Sequence, residues 1–228
     1  MAGSRFRRHR SRGMAVAVLF GLLGLGLPSS VVGASPPDPV LLVHGWTGSP
    51  STWGDMINRF AANGRTAVAI DLATEDNVKN AAQIRDFIKA QGWSRVDIVA
   101  QSMGGLSARY FIKTLGTSAV DTYVSLGTPQ YGIWAACFLT QSSGGQMCPT
   151  SSFLRNLNSG DDTPTSVYWT TIFSRSDGLV PTSASRLDGG ACFVDENPGV
   201  PHNDMDNDPT IFGHVLAAVD RSCAGTFK

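Results

Sequence analysis

Val96-Asp97-Ile98-Val99-Ala100-Gln101-Ser102-Met103-Gly104-Gly105 is the stretch on which the reading of this chain turns. Its first half is mostly apolar and reads as a strand. Residues 103–115 carry a helical pattern closed by Gly116, so Ser102 stands on the turn between the two. A strand that passes directly into a helix leaves its turn residue strained and exposed, and the flanking positions must then be small. Ala100, Gly104 and Gly105 meet that demand. Glycine usually stands two residues before such a serine; alanine stands there here, the smallest departure. Ser102 is therefore a candidate nucleophile.

Working outward, residues 39–44 form a continuous apolar run ending at Gly45, as expected of a strand buried on both faces. Trp53, Met56, Ile57 and Phe60 recur at helical spacing in 52–62, with Gly64 beyond as a stop. Residues 66–72 read as a second strand. Val78, Ala81, Ile84, Phe87 and Ile88 share one face of an amphipathic helix over 78–91. Further strands are predicted at 119–126, 166–173 and 191–194, and a last helix over 209–221 with Pro209 at its start. Residues 130–165, rich in Gly, Ser, Thr and Pro, read as an excursion outside the core, either a loop or a small flap. Strands alternating with helices predict an α/β fold, a mostly parallel central sheet with helices on both faces. Ligands in such folds sit at the carboxyl ends of the strands.

A serine hydroxyl is a poor nucleophile until a histidine takes its proton, and a carboxylate must fix that histidine's tautomer. In a strand-to-helix setting the chain order is serine, acid, histidine. Two histidines follow Ser102. His202 lies in a loop after the last strand and before the last helix, where the base belongs, whereas His214 sits inside the helix among Ile211, Phe212, Val215 and Leu216. Asp177 follows the fifth strand and is the favoured acid, although an Asp-Gly pair is also an ordinary turn. Asp188 competes, but it precedes the sixth strand and so enters at the wrong end of the sheet. Oxyanion donors are expected from the backbone N–H groups of Met103 and Trp46. His44 precedes the serine and reads as a brace for the Trp46 loop.

Asp204, Asp206 and Asp208 alternate as at the start of a calcium loop, but Pro209 replaces the glycine and Val215 the terminal glutamate. A solvated loop with Asp208 as helix cap is the simpler account, and no cofactor is required by the chemistry above. Tyr131, Ile133, Trp134, Phe138 and Leu139 in the excursion are candidates for an acyl groove or flap, or for packing beneath a stapled loop.

Arg5, Arg7, Arg8, Arg10 and Arg12 precede an uncharged apolar stretch at 14–27, and Val32-Gly33-Ala34 offers a signal-peptidase site. The apolar run is shorter than the roughly 20 residues of a spanning helix. Residues 1–34 are therefore expected to be a cleaved secretory signal, 35–228 a single domain, and the product secreted without a stable membrane anchor. Losing those arginines leaves 13 basic against 18 acidic residues, a net charge of −5. No basic patch remains for a nucleic acid. Four cysteines in an exported chain suggest two disulfides. Of three pairings, Cys137–Cys148 would staple the excursion and Cys192–Cys223 would tie a late strand to the C-terminal helix. No C-x-x-C spacing supports a zinc site.

The stretches Val43-His44-Gly45, Val96 to Gly105, Ser176-Asp177, Ser185-Arg186-Leu187-Asp188-Gly189 and Gly199-Val200-Pro201-His202 together resemble the small secreted bacterial lipases of the class 2 family, an α/β-hydrolase family. The resemblance spans nearly all of the expected mature chain. It implies Ser102, Asp177 and His202 as triad, Trp46 and Met103 as oxyanion donors, and hydrolysis of triacylglycerols or other carboxylic esters, with a lipid or ester substrate met in solution or at an oil–water interface, by a monomer. Gln101 departs from the histidine that many relatives carry, and the excursion and the cysteines are additions. The same triad serves secreted acyltransferases and polyester hydrolases. A non-catalytic binding protein on this fold is the rival of a different class, and a missing triad member would favour it; none is missing.

Overall fold

The computed structural model describes residues 36–116 and 118–227, with Met1 and Gly3. The signal segment expected at 1–34 lies, apart from those two residues, outside the described residues. Strands β1 (Val40–Val43), β2 (Ala67–Ile70), β3 (Val96–Gln101), β4 (Val120–Leu126), β5 (Tyr168–Ser174), β6 (Cys192–Glu196) and β7 (Thr226–Phe227) form one sheet in the order β2-β1-β3-β4-β5-β6-β7. All neighbours are parallel except the β6–β7 pair at the edge. Helices α1 (Gly54–Ala62), α2 (Asn77–Ala90), α3 (Met103–Thr114), α4 (Ser152–Leu157), α5 (Thr182–Ser185) and α6 (Pro209–Val219) connect or cover them.

Successive side chains of a strand point to opposite faces, and the central strands are buried nearly throughout, so the sheet supports two cores. Leu41 and Val43 of β1, with Ile98 and Ala100 of β3, pack with Ala81, Ile84 and Ile88 of α2 and Ala108, Phe111 and Ile112 of α3. Val40 and Leu42, with Val99, Val124 and Ile172, pack on the other face with Met56 and Phe60 of α1 and Ile211, Phe212 and Val215 of α6. Helix α2 is capped by Asp76, whose carboxylate accepts the N–H groups of Val78 and Lys79, and α6 by Asp208, which accepts from Thr210 and Ile211. This is the α/β architecture expected from the sequence.

The excursion is more ordered than its composition foretold. It holds 3-10 turns at Trp134–Phe138 and Gly145–Met147, then α4. Ala136, Met147, Phe153, Leu154 and Leu157 build a third apolar cluster against Met103 and Leu106 of α3. Beneath it the fully buried Arg109 of α3 donates to Asn158 Oδ1 (2.7 Å) and to the Asp162 backbone carbonyl (3.2 Å), and pairs with the Asp162 carboxylate. Burial lowers the Arg109 pKa, and these acceptors are what hold its charge in place. Disulfides join Cys137 to Cys148 and Cys192 to Cys223. The second reaches the segment beyond α6 rather than the helix itself, and the short β7 follows it. Among the described residues no helix is long and apolar enough to cross a membrane.

Candidate active site

Because β1 to β6 run parallel, the loops leaving β1, β3, β5 and β6 emerge at one end of the sheet, and the candidates meet there. Ser102 sits on the turn from β3 to α3 with φ 52° and ψ −130°, a conformation unusual for a residue with a side chain. Its N–H is held by the Leu126 carbonyl at the end of β4 (2.9 Å). The turn lies so close to β1 that a Cβ on Gly104 would come within 2.3 Å of the His44 carbonyl oxygen. Only glycine fits there.

His202 Nε2 stands 2.9 Å from Ser102 Oγ, and His202 Nδ1 stands 2.7 Å from Asp177 Oδ2. His202 and Asp177 are both buried. The second Asp177 oxygen accepts the N–H groups of Leu179 (2.9 Å) and Val180 (2.6 Å), so one residue both forms the turn and meets the histidine. The loops carrying acid and base are stitched together. His202 N–H donates to the Asp177 carbonyl (3.1 Å), and Ser174 Oγ accepts the Val200 N–H (2.7 Å) and donates to the Val200 carbonyl (2.6 Å).

The rival residues lie elsewhere. His214 Nε2 pairs with Glu196 at the end of β6 (2.8 Å) and is partly exposed, not packed among the apolar residues of α6. Asp188 is exposed, its N–H donating to the Tyr131 hydroxyl (3.1 Å). His44 accepts the Leu72 N–H at Nε2 (3.0 Å) and meets the Gly45 carbonyl at Nδ1 (2.9 Å), which ties the Trp46 loop to the end of β2. The Met103 N–H opens α3 and, like every first N–H of a helix, has no partner within it.

Asp204, Asp206 and Asp208 do not gather into a metal cluster. Among the described residues the only acidic or His/Cys group of three close enough for an ion is Asp38, Asp97 and Asp121, at the opposite end of the sheet. Asp208 is spent on capping α6, and burial raises the pKa of Asp206. Asp208 thus serves as the helix cap, and Asp204 and Asp206 lie in the segment before it.

Two contributors escaped the sequence reading. Gln101, the last residue of β3, is buried and donates its amide to the His202 carbonyl (3.2 Å). Gly127 has φ 54°, and a Cβ there would lie 2.6 Å from Asp177 Oδ2. Its place directly after a predicted strand was the signal for it; the sequence marked Gln101 as a departure from the relatives' histidine beside the serine, but not as a donor to the His202 loop.

Ser102 and His202 open onto a cavity of about 480 Å³ lined by Trp46, Ile133, Leu139, Met147, Leu179 and Val180 among others. Of the excursion's apolar candidates, Ile133 and Leu139 face this cavity. Tyr131, Trp134 and Phe138 do not. The arrangement joins a hydroxyl, an imidazole and a carboxylate in line at the floor of an apolar pocket.

A family model described as lipase (class 2) matches residues 37–207. Among solved structures, the mature Bacillus licheniformis lipase superimposes with a TM-score of 0.66 at 19% identity, over 82% of this chain and 93% of that one. Aspergillus fumigatus lipase B gives 0.70 at 19%, over 83% and 54%. An esterase from a Rhodococcus species gives 0.56 at 18%, over 81% and 90%. At these identities the likeness is one of fold, the α/β-hydrolase fold.

Proposed function

As the chain belongs to the class 2 lipase family, we propose that it is a secreted serine hydrolase that cleaves carboxylic esters, triacylglycerols foremost, through an acyl-enzyme on Ser102. The observation that carries this reading is the continuous hydrogen-bond line from Ser102 Oγ through His202 to Asp177 at the floor of an apolar pocket.

In the first half-reaction Ser102 Oγ attacks the ester carbonyl carbon while its proton passes to His202 Nε2. The carbonyl oxygen becomes an oxyanion, for which the N–H groups of Met103 and Trp46 are the proposed donors. Asp177 holds Nδ1–H and so keeps Nε2 free to accept. The tetrahedral adduct collapses, the C–O bond to the alcohol breaks, and His202 returns the proton to the leaving alkoxide. Water then repeats the sequence on the acyl-serine, giving the carboxylic acid and free Ser102. The apolar lining suits an acyl chain, and the protein works as a monomer with no metal in the cycle.

Export is supported by the arginine-rich and then apolar segment at 1–34 and by two disulfides, which persist in oxidising compartments. The test is covalent. A phosphonate ester should label Ser102 once per molecule and end hydrolysis of a dissolved short-chain ester, and Ser102→Ala should fold yet be inactive. Full activity in that variant, or labelling at another side chain, overturns the proposal.

A further inference from the structure

His202 belongs to no long element. It follows the Pro198-Gly199-Val200-Pro201 loop and opens a 3-10 turn of three residues, His202–Asp204. Its backbone is held instead at both of its polar groups. The N–H donates to the Asp177 carbonyl (3.1 Å), and the carbonyl accepts the side-chain amide of Gln101 (3.2 Å). The first bond fastens the base to the acid loop. The second fastens it to the last residue of β3, the immediate neighbour of Ser102. Nucleophile and base, 100 residues apart in the chain, are thus tied through the side chain next to the nucleophile.

The Gln101 amide is itself confined. It is buried, and Gly45 of the loop after β1 lies across it: a Cβ there would come within 2.5 Å of Gln101 Oε1 and 2.8 Å of the Ser102 Cβ. The Gly45 carbonyl accepts the Gly48 N–H (3.1 Å) and meets His44 Nδ1 (2.9 Å), so the backbone on that side of the amide is fixed as well. Burying a glutamine gives up rotamer freedom, and one bond between neutral groups returns little net stability. What the bond supplies is a position for the His202 backbone.

That position matters twice in an acyl-enzyme cycle. His202 Nε2 takes the proton of Ser102 Oγ, from which it stands 2.9 Å, and then hands it to the leaving oxygen. Asp177 holds the ring at Nδ1 and the backbone at the N–H, both from the acid's side. A base anchored from one side only can pivot about that anchor, and a displacement of about 1 Å at a reacting group costs about 10²-fold in rate. Gln101 is the anchor on the serine's side.

We propose that Gln101 is a positioning residue that acts through His202, holding its carbonyl so that Nε2 reaches both the Ser102 hydroxyl and the leaving oxygen. The proposal rests on the acyl-enzyme reading of the triad. It adds that the base is placed from the nucleophile's own strand as well as from the acid loop.

The experiment replaces Gln101 with two side chains of equal reach. Met ends four bonds from Cα without a donor; His carries its Nε2 at the same four bonds and can present an N–H. Each variant is assayed on dissolved ethyl butanoate and 4-nitrophenyl butanoate, by kcat/KM, which reports the acylation half alone. An alkoxide must take a proton from His202 to leave, whereas nitrophenoxide leaves without one. Gln101→Met should therefore lose about 30-fold on the ethyl ester and about threefold on the nitrophenyl ester, and Gln101→His should stay within about threefold of wild type on both. In a His202→Ala background Gln101→Met should lower the residual nitrophenyl rate no further, because the residue it acts through is gone. Equal losses on the two esters, unaltered rates, a loss by Gln101→His as large as by Gln101→Met, or a full further loss in the His202→Ala background overturns the proposal. A Gln101→Met protein that does not fold while Gln101→His does would make the amide a structural tie and overturn it too. These outcomes leave the triad reading standing; a wild-type protein that cleaves neither ester would remove that reading and this one together.

Discussion

Asp177 divides its carboxylate between two partners, one oxygen accepting two backbone N–H groups of its own turn and the other meeting His202. That division fixes where the carboxylate points before any histidine arrives. Asp188 and His214 have the same chemistry and different company, Tyr131 in one case and Glu196 in the other. On the proposed mechanism His202→Ala removes the proton acceptor and should lower kcat by roughly 10⁴-fold or more, while His214→Ala stays near wild type. Asp177→Asn keeps the shape but lets the imidazole settle in the wrong tautomer, a cost of roughly 10⁴-fold in kcat. Asp188→Asn should leave kcat unchanged. Steady-state rates on a dissolved ester, with circular dichroism to show that each variant is folded, make the comparison; activity lost in Asp188→Asn and kept in Asp177→Asn would move the acid to the other loop.

Elements with a strong period were legible, and elements held by distant partners were not. The run of Val40 to Val43 and the helical spacing of Ala81, Ile84 and Ile88 declare a two-faced sheet and the helix that covers it, because burial dictates both patterns. The strand-to-helix serine, with an acid and a histidine in loops after later strands, was visible for a similar reason: a parallel sheet brings the carboxyl ends of its strands together. Helix α4 was missed because its six residues are too few to show a period among Ser, Asn and Gly. Strand β7 was missed because its two residues owe their place to β6. The excursion's order depends on Arg109, 49 and 53 residues from Asn158 and Asp162 and indistinguishable in sequence from a surface arginine. Arg109→Met should therefore leave Asp162 without its cation and destabilise the fold by about 3 kcal/mol. The urea midpoint should fall, and Arg109→Met with Asp162→Asn should recover part of the loss. A double variant no better than the single one would show that packing, not the charge pair, holds the excursion.

At the scale of the whole molecule the two ends of the sheet do different work. The carboxyl end carries the site; the amino end carries a charge network of Asp38 before β1, Arg65 before β2, Arg95 before β3, Asp97 on β3, Asp121 on β4, and Asp220 and Arg221 after α6. Arg95 pairs with Asp38 and Asp121, Arg221 with Asp121, and Arg65 with Asp220 and, more loosely at 3.5 Å, with Asp97. The approach of Asp38, Asp97 and Asp121 is thus already answered by arginines. Asp97 is the group served worst. It is buried, its Oδ1 has no hydrogen-bond partner among the described residues, and burial, aided by Asp121, pushes its pKa up to about 7. A carboxyl whose pKa is higher folded than unfolded binds more protons in the native state between the two values. Stability from this group therefore falls as pH rises from about 4 to about 7, and above that the folded protein bears the full cost of a buried charge. Asp97→Asn removes the charge and keeps the shape. Its effect relative to wild type should be small near pH 4 and increasingly stabilising toward pH 8, by up to about 4 kcal/mol at one pKa unit per 1.36 kcal/mol. Urea denaturation of both proteins across that range measures the difference directly, so that every other titrating group cancels. A variant destabilised equally at all pH values would mean that the carboxylate earns its place through Arg65. Because Asp97 lies five residues from Ser102 at the far end of the same strand, the specific activity of the folded variant should not change.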